Sequence, residues 1–468
     1  MRNGLAGTAA HPVRSVIRGF AMTSTSRTSA TAGRAGASGA RPAGDGARPT
    51  RVRWKMFVLL LGVVALNYID RGSVSVALPL ITKDLGLSKE TTGFLLSAFF
   101  WTYALMQIPS GWLADRFGAR RMVSGACVGW GVAQGLTAAA GGAGSLLGFR
   151  LLLGAVEAPV MPAGGKLNAQ WLPAKERGRG AVLLDGGAPL GAALGGIVIS
   201  MLIAWTGSWR ISFLVAGVLT VAAGLYAGWY IRNTPAEHPG VNAAEAAYIE
   251  RAHAEEDAAG PADVRTGLLP YLKYRSFWAM CLGWMGFNGV FYGLLTWGPL
   301  YLSESKGFDI ATIGWSTLVI FGAGFVGELI GGWTSDRWKA KGAGANTVMR
   351  TMMGIAGIAV VAGLLGVVLV PDAMTAVALL SGVLFFLRWA GLYWSLPSVL
   401  AGRANAGVVG GAMNLSGNIA GMITPIAVGF IVGATGSYTW ALLYFVGAGV
   451  LFTVSSLVID YSRRLAVR

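Results

Sequence analysis

A few ionisable side chains stand inside otherwise apolar runs, and their types and spacing define the chemistry open to this chain. Asn67-Tyr68-Ile69-Asp70-Arg71 sets an acid beside a base. Arg150 and Glu157 are seven residues apart, which on a helix is one face and about two turns. Burial opposes a carboxyl's charge and a nearby arginine favours it. Asp70 and Glu157 could therefore load and release protons when their arginines are drawn elsewhere. Arg71 and Arg150 offer planar forks suited to a carboxylate. The plainer alternative is that these four residues pair to hold helices together. Asp185, Glu328 and Arg388 also fall within apolar runs. Each acid could be a cavity charge or sit near a helix end in water. Arg388 could attract anions or pair with an acid of another helix. Tyr103, Tyr393 and Trp394 lie too deep for interface duty, and Tyr103 beside Thr102 and Gln107 could face a polar cavity. Asn414 and Asn418, one turn apart, could bind substrate hydroxyls or bond across helices.

The elements that position these residues are long apolar segments. The 468-residue chain is 54% hydrophobic and 12% charged, with mean hydropathy +0.58. A soluble chain carries about twice that charged fraction. A membrane span needs about 20 apolar residues, and candidates fall near 56–79, 91–114, 122–141, 144–165, 180–205 and 209–231. After a polar stretch at 232–275, read as a central loop with a short surface helix, six more follow near 276–303, 311–335, 350–370, 373–397, 407–434 and 438–460. Gly111-Trp-Leu-Ala-Asp115-Arg116 follows span two, and Gly332-Trp-Thr-Ser-Asp336-Arg337 follows span eight. The repeat predicts two duplicated halves, the plan of many secondary transporters with a site between the halves. Glycine runs such as Gly191 to Gly196 predict close helix packing.

Net charge is +16, from 37 Lys and Arg against 21 Asp and Glu, and pI is near 10.1. The excess lies in residues 1–55, where Asp45 is the only acid, and in alternate loops (Arg116, Arg120, Arg121; Lys175, Arg177, Arg179; Arg337, Lys339, Lys341). That distribution sets topology with both termini and the central loop cytoplasmic, and no nucleic-acid partner is expected. Residues 1–55 read as a disordered basic tail; the composition is also that of an organelle transit peptide, and Met22 and Met56 are alternative starts. The two cysteines sit in apolar runs and the three histidines in polar ones, so no disulfide framework, metal site or cofactor is expected. No nucleophile-and-base set appears, so no enzyme is expected.

Gly111 to Arg121, with Asp115, Arg116, Gly118 and Arg120, resembles the loop motif between helices two and three of the major facilitator superfamily. The resemblance implies an all-α membrane protein of twelve transmembrane helices in two pseudo-symmetric six-helix bundles. Those bundles would be 56–231 and 276–462, flanking the loop at 232–275, with a tail at 463–468. In the family, the motif's acid and arginines latch the cytoplasmic gate. A narrower resemblance covers nearly all of 54–462. Asn67 to Arg71, Arg150 to Pro159 with Pro162, Trp171 to Pro173, Glu176-Arg177 and Thr296 to Leu302 are similar to the anion:cation symporter branch, closest to its bacterial galactonate, glucarate and hexuronate importers. There the positions of Asp70 and Glu157 couple protons, with the Arg150 position partnering the glutamate. The positions of Tyr68, Arg71, Tyr103, Trp394 and Asn414 line the substrate site. Asp185-Gly-Gly-Ala188 departs from that pattern, standing where it has an uncharged polar residue and a substrate-contacting glutamine. Gly298 replaces an aromatic common in the group. Asp185 is thus a candidate substrate residue of altered specificity, for a substrate less hydroxylated or differently charged. The expectation is a monomeric, proton-coupled importer of a small organic anion in the lipid bilayer of a bacterial inner membrane. A proton-driven exporter is the alternative, and a non-transporting sensor the remote one.

Overall fold

The computed structural model describes residues 48–258 and 267–465. The described residues contain helices and no strand. This is what lipid demands of a spanning chain, because a helix satisfies its own backbone polar groups. The first half comprises α1 (Val52–Leu85), α2 (Lys89–Phe117), α3 (Ala119–Thr137), α4 (Ala143–Glu157), α5 (Val160–Trp171), α6 (Ala174–Thr206) and α7 (Trp209–Tyr230). A surface helix, α8 (Ala243–Ala258), lies in the connection. The second half comprises α9 (Arg275–Lys306), α10 (Ile310–Ala340), α11 (Ala345–Leu369), α12 (Ala373–Leu387), α13 (Leu396–Thr435) and α14 (Tyr438–Val458). Among the described residues, nine helical segments are long and apolar enough to cross a membrane on length and composition; α2, α3 and α9 are not among them.

Two spans differ from the continuous helices expected. Span four is broken into α4 and α5 at Ala158-Pro159, because proline lacks the amide hydrogen a helix needs and clashes with the preceding turn. Span ten passes from α12 into a 3-10 segment, Arg388–Ser395, before α13 begins. Gly402, at φ 73°, kinks α13 where the chain turns into span eleven. The tighter 3-10 winding carries Arg388 and Trp394.

Turns at the end away from α8 follow one recipe. Gly86, Gly207, Gly307 and Gly436 close α1, α6, α9 and α13 in the left-handed conformation. Ser88, Ser208, Asp309 and Ser437 then cap the next helix. At the α8 end, Glu245 of α8 accepts hydrogen bonds from the amides of Val52 (3.1 Å) and Arg53 (3.3 Å) and pairs with the Arg53 guanidinium (2.8 Å). Arg53 also pairs with Glu176 of α6 at 2.8 Å. These partners order the chain from Val52, so α1 begins within the stretch expected to be tail; residues 1–47 of that tail lie outside the described residues.

Helix pairing in the first half recurs in the second. α1 packs on α6 as α9 does on α13, α3 on α7 as α11 on α14, and α2 on α4 as α10 on α12. The halves meet through α2 against α13, α6 against α10, and α1 against α9. Glycines bring these backbones together. A Cβ at Gly93 would strike the Pro425 carbonyl and Gly429, and one at Gly196 would strike Thr317. Ser97 of α2 donates to the Met422 carbonyl at 2.6 Å, and Lys89 pairs with Glu304. The halves are thus joined at the end away from α8 and part towards α8.

Candidate functional site

Asp70 and Arg71 share a helix but not a site. Successive residues point about 100° apart on a helix. Asp70 faces into the first half, where it accepts hydrogen bonds from Trp130 Nε1 of α3 (3.0 Å) and Thr220 Oγ1 of α7 (2.7 Å). Arg71 turns towards α4 and pairs with Glu157 at 3.0 Å, with Asn67 Oδ1 at 3.3 Å. Its guanidinium lies 4.5, 4.4 and 4.8 Å from the ring centres of Tyr68, Phe99 and Tyr103, an aromatic cage for a cation. Arg150 sits across Phe99, 5.4 Å from its centre. The direct ion pair on Glu157 comes from Arg71 of α1, and Arg150 bears on Glu157 through its charge. Nε and Nη1 of Arg150 and Oε1 of Glu157 are buried without hydrogen-bond partners among the described residues.

Between the halves lies a narrow chamber of about 60 Å³. Its walls include Tyr68, Tyr103, Asp185, Asn288, Tyr292, Arg388, Trp394, Asn414 and Asn418. Met161, Asp185, Trp394 and Asn414 are shared with a larger cavity of about 650 Å³, which runs past Asn168 and Ala169 towards the α8 end. The expected substrate residues Tyr68, Tyr103, Trp394, Asn414 and Asp185 therefore converge. Arg71 does not line the chamber; it stands behind Tyr68 and Tyr103. The cation on the chamber wall is Arg388, which donates to Glu328 of α10 and, at 3.2 Å, to Asp185 of α6.

Comparison with known proteins decides the family. The Major Facilitator Superfamily profile matches residues 60–425. The chain belongs to the major facilitator superfamily. It is 34% identical over 412 residues to the probable sulfoacetate transporter of Cupriavidus necator, covering 85% of this chain and 92% of that protein. It is 31% identical over 433 residues to the probable galactarate/D-glucarate transporter of Bacillus subtilis, covering 89% and 92%. It is 30% identical over 427 residues to the D-galactonate transporter of Escherichia coli O6:H1, covering 89% and 97%. In fold it resembles a bacterial homologue of the human lysosomal transporter Spinster, solved inward-facing and occupied, with TM-score 0.68 at 17% identity over 87% of this chain and 96% of that one. Like its relatives, the chain is a multi-pass membrane transporter and not an enzyme.

Among the described residues, the contacts of the superfamily's loop motif lie within the first half. Asp115 pairs with Lys166 of α5 at 2.9 Å, and Lys166 also donates to the Ala114 carbonyl. Arg120 donates to the Gly228 carbonyl at 2.7 Å, and its amide to Asn233. Gly118, at φ 85°, lets Asn233 approach where a Cβ would collide. Arg116 lies over Trp112 and Phe117. Gly111 has open space where a Cβ would stand. Among the described residues, Asp115 of the expected gate motif is held by Lys166. Sequence reading missed Lys166, Trp130, Thr220 and Tyr292. Lys166 carried a signal, a cation at the end of an apolar run. Trp130, Thr220 and Tyr292 look like ordinary packing residues until the helices that carry them are assembled.

Proposed function

We propose that this transporter imports a small organic anion together with protons by alternating access, in a bacterial inner membrane with both termini cytoplasmic. The Lys and Arg bias supports that orientation, and in it the open α8 end faces the cytoplasm. The observation that carries the reading is the buried Arg71–Glu157 pair behind the chamber wall. In the outward-open state Asp70 and Glu157 take protons. The anion enters the chamber and draws Arg71 away from neutralised Glu157, past Tyr68 and Tyr103, while Trp394 and Asn414 complete the enclosure. The halves then rock about the α2–α13 and α6–α10 seams, and anion and protons leave towards the cytoplasm. Relatives named for sulfoacetate, glucarate and galactonate support a carboxylate or sulfonate substrate. Coupling is needed because each net charge moved against a 100 mV potential is opposed by about 2.3 kcal/mol.

The test is uptake of labelled organic acids into proteoliposomes with an imposed pH gradient. Asp70→Asn is expected to lose gradient-driven accumulation while keeping substrate exchange. Accumulation equal to wild type in that variant would overturn the coupling assignment.

A further inference from the structure

Arg388 has no part in the mechanism above, yet it is the only cation among the described residues lining the central chamber. It is 4% exposed and held asymmetrically. One oxygen of Glu328 accepts from both Nε and Nη2, so Glu328 fastens one edge of the guanidinium plane. Asp185 accepts from Nη2 alone, at 3.2 Å. Nη1, on that second edge, has no hydrogen-bond partner among the described residues. A guanidinium recognises a carboxylate or sulfonate best through two parallel N–H bonds. Here the Nη1–Nη2 edge is half used, by the more weakly held of two acids. Two carboxylates on one guanidinium also leave a net negative charge in a mostly buried place, which is unfavourable unless a proton or cation joins it.

We propose that Arg388 receives an anionic group of the substrate on its Nη1–Nη2 edge, displacing Asp185. The freed Asp185 carboxylate turns to the larger adjoining cavity, which it also lines. Glu328 stays on the Nε edge and keeps the guanidinium oriented. The groups facing this exchange are Asp185 from α6, Glu328 from α10, Tyr68 from α1 and Tyr292 from α9, with Asp336 farther along the adjoining cleft. Phe287 and Phe291 of α9 lie 5.7 and 5.3 Å from the guanidinium and carry no charge of their own. Asp185 belongs to the first half and Arg388 to the second, so the exchange also unfastens an ion pair that ties the halves together. The inference rests on the carrier reading and adds to it a receptor for a carboxylate or sulfonate, separate from Arg71.

The test uses purified protein and inorganic sulfate as the probe, with binding measured by calorimetry at one fixed pH. Wild type is expected to bind sulfate. Asp185→Asn, which removes the competing acid, should bind at least about tenfold tighter; Arg388→Gln should lose at least about tenfold. Removing Arg388 alone strands two acids, so the triple variant Asp185→Asn, Glu328→Gln, Arg388→Gln is measured as well, and it too must lose binding. Wild type indifferent to sulfate, Arg388→Gln binding like wild type, or Asp185→Asn binding no tighter than wild type would each overturn the proposal. Uptake of the organic acids tests the carrier reading separately: wild type moving none of them counts against that reading, whereas the sulfate series decides Arg388.

Discussion

Neighbouring residues in sequence serve different sites here. Asp70 is enclosed by α3 and α7, while Arg71 reaches α4 and its aromatic cage. The environment of Asp70 rests on two donors, the Trp130 indole and the Thr220 hydroxyl. Both donors reach Oδ2, so removing one takes away one of two hydrogen bonds to a buried carboxyl and costs about 1–3 kcal/mol. Trp130→Phe should therefore lower stability by that amount in chemical denaturation. Combining it with Asp70→Asn should give less than the sum of the two single losses, because both act on one hydrogen bond. Additive losses would show that Trp130 acts through packing alone.

At the scale of elements, the contact between halves depends on small residues at helix crossings. Gly196 of α6 and Gly314 of α10 face each other with Thr317 and Ser200 beside them. A side chain at Gly314 would meet Ser200 and the Gly196 carbonyl, and overpacking of this kind costs about 1–3 kcal/mol. Gly314→Val should push α6 from α10 and weaken closure at the end away from α8. The expected readout is a lower melting temperature and faster alkylation of a cysteine placed at Asn288, measured from that side of the membrane. The break at Pro159 has the opposite character. It is written in the sequence, and it lets α5 bring Met161 to the cavity and Lys166 to Asp115.

For the whole molecule, the proposed alternating access requires the joined end to open. Lys89 at the start of α2 meets Glu304 at the end of α9. Cysteines at these two positions, joined by a short bifunctional thiol reagent, should hold that end shut. Uptake should then fall to background, while alkylation of a cavity cysteine from the α8 side proceeds. Uptake that survives complete cross-linking would rule out rocking about these seams. Native Cys127 and Cys281 are buried and need not be removed for the control.

The all-helical membrane architecture and the duplicated plan were legible in the sequence. Long apolar runs need no distant partner to be recognised, and Gly-Trp-x-x-Asp-Arg recurs at the ends of α2 and α10. So were the charged residues worth explaining, because charge in an apolar run is costly wherever the run is placed. Their partners were not legible. The spacing of Arg150 and Glu157 placed them on one face and the family resemblance paired them, yet the direct ion pair on Glu157 comes from Arg71, 86 positions away. Asp185 stood out as an unexplained acid, and only the packing of α6 on α10 and span ten brings it to Arg388, 203 positions away. Local sequence determines which segments become helices and which of their residues are expensive to bury. Which charge meets which depends on how each helix rotates and crosses its neighbours, and tertiary structure alone decides that.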